Sequence, residues 1–162
     1  MKSLLKISMF SFILMLACSK EPNYLFEVEN VQITQASADK NRLKTDIEFV
    51  SIAYNDLYGR NIPQGELDDI ITVYKSFGDK SMVIQMIIKK FISSENSQTM
   101  NINRDSKLTI DNFVQSTYEK IFNRTPNAFE KWYLSDYIQN NKDVSGEMVY
   151  YGLMTSNEYR YY

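Results

Sequence analysis

Apolar residues recur every three or four positions along most of the chain from residue 45 onward. In the first such stretch this spacing gives one stripe of five residues: Val50, Ala53, Tyr54, Leu57 and Tyr58. A stripe with this period covers one face of an α-helix. Strand-like alternation competes only in Tyr24 to Thr34, which is compatible with one short extended segment. The pattern therefore predicts an all-α domain.

A second stretch repeats the first at a constant distance. A shift of 64 residues brings together residues of like type: Thr45 and Thr109, Phe49-Val50 and Phe113-Val114, Tyr54 and Tyr118, Leu57-Tyr58 and Ile121-Phe122, Arg60 and Arg124, Glu66 and Glu130. Chance does not hold one offset across so many residue types, so the shift indicates a duplication. We predict two tandem repeats of about three helices each, residues 45–92 and 109–162, joined by a polar connector at 93–108 and packed into one compact bundle.

Each repeat carries signals for where its helices begin and end. Thr45 and Glu48 have the spacing of a capping box, and Thr109 keeps the capping hydroxyl in the second repeat. Gly59 and Asn123 suit the left-handed backbone that ends many helices. The prolines at positions 63 and 126 fit the first position of the next helix. The third helices are expected to start near residues 81 and 145.

The segment 1–17 has the layout of an export signal. Two lysines lie within its first six residues, an apolar run extends from Ile7 to Leu16, and the small residue Ala17 ends it. The run is shorter than the roughly 20 apolar residues that a membrane-spanning helix needs. We expect the cell to remove this segment during export.

Directly after it stands Cys18, the one cysteine of the chain, and Leu14-Met15-Leu16-Ala17-Cys18 resembles a bacterial lipobox. In that family the cysteine thiol receives a diacylglyceryl group, the signal is cut before it and the new amine is usually acylated. Two or three acyl chains anchor a protein durably. The resemblance implies a lipoprotein whose residues 18–44 tether the helical domain to a membrane. The alternative is an ordinary signal peptide with an incidental cysteine at its end.

The residues after the cysteine indicate in which membrane the lipoprotein is anchored. Ser19 lacks the aspartate that resembles an inner-membrane retention signal in enterobacteria, so the outer membrane is favoured. Ser19-Lys20-Glu21 also resembles the charged tag by which Bacteroidota lipoproteins reach the cell surface. Both the periplasmic face and the outer face stay open.

Composition argues against most enzyme chemistries. The chain has no histidine and no second cysteine, which excludes His-based triads, thiolate nucleophiles and the usual zinc ligands. Loss of residues 1–17 removes two lysines and takes the formal net charge from −2 to −4. The mature chain therefore lacks the net positive charge that favours binding of nucleic acid. We predict a non-catalytic protein without cofactor or metal. Glu66, Asp68 and Asp69 are interpreted as a solvated helix face, with carboxylate-only catalysis as the enzymatic alternative.

Arg60 and Arg124 are the most distinctive recurrent polar residues. One interpretation is that each presents its guanidinium to an anionic ligand or partner. The other, which we favour, is that each holds the last carbonyls of its helix and pairs with Glu66 or Glu130, six residues later. The second interpretation predicts that Arg124→Ala lowers thermal stability.

Aromatic residues crowd the C-terminal repeat. They are Trp132, Tyr133, Tyr137, Tyr150, Tyr151, Tyr159, Tyr161 and Tyr162. Core packing accounts for about half of such a set, and planar rings with polar tips suit protein interfaces and sugar faces. We take Trp132, Tyr133 and Tyr137 as candidate binding residues.

Residues 45–162 also resemble two bacterial helical families. The stretch Phe113-Val114 to Asn123-Arg124-Thr125-Pro126, then Glu130 and the closing Met154 to Tyr159, is similar to the cytochrome-associated domain of planctomycete surface and periplasmic proteins and to phycobilisome-linker-like modules. The resemblance implies a compact all-helical module that docks on partners, and it carries over no catalytic residue.

The sequence therefore predicts a non-catalytic lipoprotein of the outer membrane. Its helical domain acts as an interaction or assembly module that binds another protein of the cell envelope. The alternative is a surface lipoprotein that binds glycans through its C-terminal aromatic residues.

Overall fold

The structure is a computed structural model that describes residues 42–161, and this part of the chain is all-α. Six α-helices and a short 3₁₀-helix follow one another: α1 (Asp46–Tyr58), α2 (Gln64–Ser76), α3 (Lys80–Ile92), α4 (Lys107–Phe122), α5 (Ala128–Asn140), α6 (Gly146–Met154) and η1 (Glu158–Arg160). The predicted fold class is confirmed. The predicted export signal 1–17, the lipidation residue Cys18 and the extended segment Tyr24 to Thr34 lie outside the described residues.

The helices pack as two successive sets of three. α1 contacts α2 and α3, α4 contacts α5 and α6, and α3 packs against α6 to join the two sets. Buried apolar side chains from both sets form one hydrophobic core, and its most deeply buried members include Leu57, Ile88, Val114, Ile138 and Met154. α2 and α5 are both 13 residues long and lie 64 residues apart. The spacing agrees with the predicted repeat, while the duplication itself stays a prediction.

Residues with left-handed backbone end the first helix of each set. Gly59 has φ 64° after α1, and Asn123 has φ 52° after α4. Most L-residues avoid this region because Cβ approaches the following carbonyl, but glycine has no Cβ and asparagine tolerates it. The two predicted helix ends are confirmed.

The predicted start of α1 is confirmed, and the predicted start of α4 is wrong. The Thr45 hydroxyl accepts from the Glu48 amide at 3.3 Å, while the Glu48 carboxylate accepts from the Thr45 amide at 2.7 Å. α4 instead begins at Lys107, with Ser106 as its N-cap and Thr109 inside its first turn. Thr109 closes a capping box because its hydroxyl accepts from the Ser106 amide at 3.1 Å. The connector between the sets is therefore 93–106.

Other helix starts differ by one or two residues from expectation. Pro63 is the N-cap of α2, and Pro126 precedes the N-cap of α5, so neither occupies the first helical position. α3 begins at Lys80, close to the expected start near Ser81, and the Asp79 carboxylate caps its first turn. The start of α6 after Ser145 is confirmed.

The two ends of the described chain lie side by side. Leu43 forms an antiparallel bridge with Tyr161, and the Lys44 amide donates to the Arg160 carbonyl at 2.9 Å. The point at which the predicted tether reaches the domain is therefore fixed against the segment that follows η1.

Candidate functional site

α5 turns an unusual face to solvent. Its exposed large hydrophobic residues are all aromatic: Phe129, Trp132, Tyr133 and Tyr137, with exposed fractions of 68, 56, 58 and 48%. Residues three, four and eight positions apart lie on the same side of a helix. The opposite side supplies Ile138 to the core. We call these four residues the aromatic surface.

Three of the four rings of the aromatic surface lie close to one another. The centroid of Phe129 lies 6.0 Å from that of Trp132 and 5.9 Å from that of Tyr133, and the planes of Phe129 and Tyr133 differ by only 21°. Both distances fall within the range of favourable ring pairs. Phe129, Trp132 and Tyr133 therefore form one contiguous cluster of rings.

An open groove between α5 and α6 continues the patch. Its volume is about 330 Å³, and it is lined by Tyr133, Leu134, Tyr137, Val144, Met148, Val149, Gly152 and Leu153. We call it the α5–α6 groove. No charged side chain contributes to this lining, and Met148 on its outer edge is more than half exposed. The aromatic surface and the groove share two tyrosines and so form one apolar region.

The N-terminus of α5 is fixed by a set of ionic hydrogen bonds. Arg124 donates to both carboxylate oxygens of Glu130, at 2.8 and 2.7 Å, and to both oxygens of Glu158, at 2.7 and 2.8 Å. Glu130 also accepts from the Asn127 amide in a capping box. The bonds from Arg124 lower the pKa of Glu130. They join the end of α4, the start of α5 and η1 into one rigid corner.

A residue distant in the sequence holds the C-terminus of α5. Arg104, in the connector, donates to the carbonyl oxygens of Ile138, Asn141 and Val144. The last carbonyls of a helix have no partner within it, so a guanidinium there satisfies several at once. Arg104 therefore does for α5 what the sequence assigned to Arg60 and Arg124 for their own helices.

The two recurrent arginines have different surroundings. The pairing of Arg124 with Glu130 is confirmed, but the pairing predicted between Arg60 and Glu66 is wrong, since no ion pair joins them in the described part of the chain. The predicted contact with the last carbonyls of α4 is also wrong, since the backbone carbonyl to which Arg124 donates is that of Thr125, beyond the helix. Arg60 is exposed and lies over the ring of Tyr54, with its guanidinium carbon 5.4 Å from the centroid. Neither arginine belongs to the aromatic surface.

A carboxylate lies within the aromatic surface. Asp136 is exposed and stands on the same side of α5, one position before Tyr137 and three and four positions after Tyr133 and Trp132. Its carboxylate makes no hydrogen bond or ion pair with any of the described residues. The other charges of α5 are engaged elsewhere: Glu130 holds Arg124, and Lys131 donates to Gln115 of α4 at 3.1 Å.

The three carboxylates of α2 differ in exposure. Asp68 and Asp69 are exposed, as expected for a solvated face, whereas Glu66 is only partly exposed. Between residues 42 and 161, no three acidic or other metal-binding side chains lie close enough together to hold a metal ion. Nor does any helix in that range combine the length and apolar character that crossing a membrane requires.

Three of the predicted binding residues, Trp132, Tyr133 and Tyr137, come together on α5. The sequence prediction did not include Phe129, Asp136 or Met148. A signal was present, because the α5 sequence has apolar residues on two opposite sides, one facing the core through Leu134 and Ile138 and one formed by the aromatic residues.

Comparison of the chain with protein-family models, with curated proteins and with solved structures gives no match. The resemblances to a lipobox, to the planctomycete cytochrome-associated domain and to phycobilisome-linker-like modules therefore stay predictions from the sequence.

Proposed function

We propose that this chain is a non-catalytic bacterial lipoprotein, anchored in the outer membrane through Cys18, whose helical domain binds another protein of the cell envelope. The aromatic surface of α5, together with the α5–α6 groove, is the docking site. The supporting observation is that four large aromatic side chains stay exposed in one patch on a helix whose two ends are rigidly held.

The domain does not need these rings in order to fold. α2 has the same length as α5 and lies 64 residues earlier, and the corresponding positions there hold Gly65, Asp68, Asp69 and Val73. α2 packs against α1 with a glycine, two aspartates and one valine at those positions, so pairing of the two helices does not require aromatic rings there. Contiguous exposed apolar patches on soluble domains commonly mark protein interaction sites, where tyrosine and tryptophan are enriched.

A protein partner fits the region better than a glycan does. Sugar sites combine aromatic rings with several polar groups that fix the hydroxyls, as binding sites for polar ligands generally do. The α5–α6 groove is lined almost entirely by apolar side chains, and the face of Phe129 is stacked on Tyr133. An apolar side chain from a protein fills such a groove with less loss of hydration.

The anchor is tested on the native product. We expect the mature protein to begin at Cys18 and to carry the mass of a diacylglyceryl group and an amide-linked acyl chain, because the thiol and the new amine are the acceptors. Mass spectrometry of the N-terminal peptide measures this directly. A mature chain that begins elsewhere, or an unmodified cysteine, contradicts the anchor, and Cys18→Ser should release the protein from the membrane fraction.

Docking is tested by removing two rings together. In Trp132→Ala/Tyr133→Ala we expect the affinity for the native partner to fall at least about tenfold, because buried tryptophan and tyrosine dominate protein interfaces. The measurement is recovery of one stoichiometric partner from solubilised envelopes with the anchored full chain. Helix α5 should remain folded, since both side chains are already more than half exposed in the free domain.

Leu108→Ala is the matched control. Leu108 is 68% exposed on α4, as Phe129 is on α5, yet it stands outside the aromatic surface. Equal recovery by the control and the double variant contradicts docking through α5. If no protein is recovered, and surface polysaccharide shifts the emission of Trp132, the sole tryptophan of the chain, the glycan alternative replaces the proposal.

A further inference from the structure

The position of Asp136 narrows the chemistry of the partner. Lys131, the one cation of α5, points away from the aromatic surface and donates to Gln115, and Glu130 is occupied by Arg124. The exposed side of α5 therefore presents one negative charge, Asp136, among four rings, and this carboxylate has no partner between residues 42 and 161. The faces of aromatic rings also attract cations. Both features favour a positive group in the centre of the patch.

We infer that the aromatic surface recognises a protein segment that places one lysine or arginine among apolar residues. The cation pairs with Asp136 and lies against the rings of Trp132 and Tyr133, while a neighbouring apolar side chain occupies the α5–α6 groove. This inference rests on the proposed docking function and adds the chemical class of the partner.

Two other occupants fit the same charge less well. A second copy of this chain that packs α5 against α5 brings one Asp136 towards another, and like charges at the centre of an interface oppose association. A lipid surface covers the carboxylate with acyl chains or anionic headgroups, which is costly for an aspartate. A basic protein segment is the occupant that this carboxylate favours.

The test uses the full chain, anchored in vesicles of zwitterionic phosphatidylcholine so that basic peptides are not drawn to the lipid. A phage-displayed library of random peptides is selected in parallel on the wild type, Asp136→Asn and Tyr133→Ala. We expect the wild type to enrich peptides with a lysine or arginine among apolar residues. Asp136→Asn should enrich apolar peptides without that basic residue, and Tyr133→Ala should enrich neither class.

The affinity of each peptide for the protein is measured from the change in fluorescence emission of Trp132. A wild-type-selected peptide should bind Asp136→Asn roughly fivefold more weakly, the size expected for a partly exposed charge pair. In the charge reversal Asp136→Lys, the same peptide with its basic residue replaced by glutamate should bind more tightly than the original. Melting temperatures of the variants, expected to match the wild type because Asp136 is exposed, exclude misfolding.

The outcomes distinguish failure of the inferred basic partner from failure of the proposed docking site. The same basic peptides selected by Asp136→Asn, or neutral peptides selected by the wild type, overturn the inference and leave docking through α5 standing. Peptides that bind Tyr133→Ala as tightly as the wild type overturn the docking site itself. Emission of Trp132 that is already blue-shifted in the vesicles before peptide is added, or self-association of the chain, assigns the surface to lipid or to a second copy and overturns both.

Discussion

Gly146→Ala should destabilise the domain by roughly 3–4 kcal/mol, among the largest losses expected for one added methyl group. Gly146 is the buried first residue of α6, and a Cβ built there lies 2.0 Å from the carbonyl oxygen of Met100 in the connector. Backbone atoms cannot give way as a flexible side chain does, so α6 or the connector must shift. Thermal unfolding followed by circular dichroism should show a melting temperature lower by more than about 10 °C.

Gly152→Ala is the control within the same helix. Nothing lies within 4 Å of a Cβ at Gly152, and alanine favours helix over glycine by about 1 kcal/mol, so this variant should melt slightly above the wild type. Loss of stability in Gly146→Ala together with a gain in Gly152→Ala identifies the approach of the connector as the cause. If Gly146→Ala melts with the wild type, the contact with Met100 is wrong.

A comparison of Gly59 and Asn123 with Gly146 shows which backbone features the sequence predicts and which it does not. Gly59 and Asn123 were assigned correctly because the conformation that they adopt depends on the residue itself and on its immediate neighbours. The space around Gly146 depends on Met100, which is 46 positions away and belongs to a polar connector without periodicity. Local backbone preference can be inferred from the chain, whereas this long-range approach cannot.

Two residues near the start of α4 are suited to cap the helix. Ser106 and Thr109 both carry hydroxyl groups suited to an N-cap, three residues apart. The match between Thr109 and Thr45 at the constant offset favoured the later residue. In the structure Ser106 caps the helix, and Thr109 completes the box by accepting from its amide. The repeat pattern was a poorer guide to this boundary than capping chemistry.

The candidate site was predictable in part. Aromatic crowding indicated the helix that exposes several rings, since tryptophan and tyrosine in excess of what a small core can bury remain at the surface. Burial decided which rings are available: Tyr150 and Tyr159 are in the core, whereas Trp132, Tyr133 and Tyr137 are exposed. In the sequence, the buried and exposed aromatic residues differ only in which side of their helix they occupy. The support from Arg104, which holds α5 across more than 30 residues, had no sequence signal.

Arg124→Ala should destabilise the domain by roughly 3 kcal/mol. The guanidinium makes four hydrogen bonds of 2.7–2.8 Å to Glu130 and Glu158, and these three side chains are about one quarter to one third exposed. Exposed pairs contribute little, but bonds to charged groups that are mostly removed from water contribute about 1.5–3 kcal/mol each, and here two carboxylates lose their partner together. Chemical denaturation at neutral pH measures the difference.

Arg60→Ala is the matched control, because Arg60 is the residue 64 positions earlier and forms no ion pair with Glu66 in the described part of the chain. It is exposed and lies over Tyr54, so its removal should cost less than about 1 kcal/mol. Equal losses in the two variants contradict the ionic corner as the source of stability. A normal melting temperature for Arg124→Ala with lost partner binding makes Arg124 a binding residue instead.

The dependence on pH separates the ionic corner from simple packing. Arg124 lowers the pKa of Glu130 in the folded state, so this carboxylate contributes stability that is fully present above the ordinary glutamate range and is lost as the pH falls through its folded pKa. The difference in unfolding free energy between wild type and Arg124→Ala should therefore be largest at neutral pH and shrink on acidification. Arg124 also packs over Tyr118 and Phe122, and a packing contribution does not titrate. A difference that stays constant down to acidic pH assigns the stabilisation to those ring contacts rather than to the carboxylates.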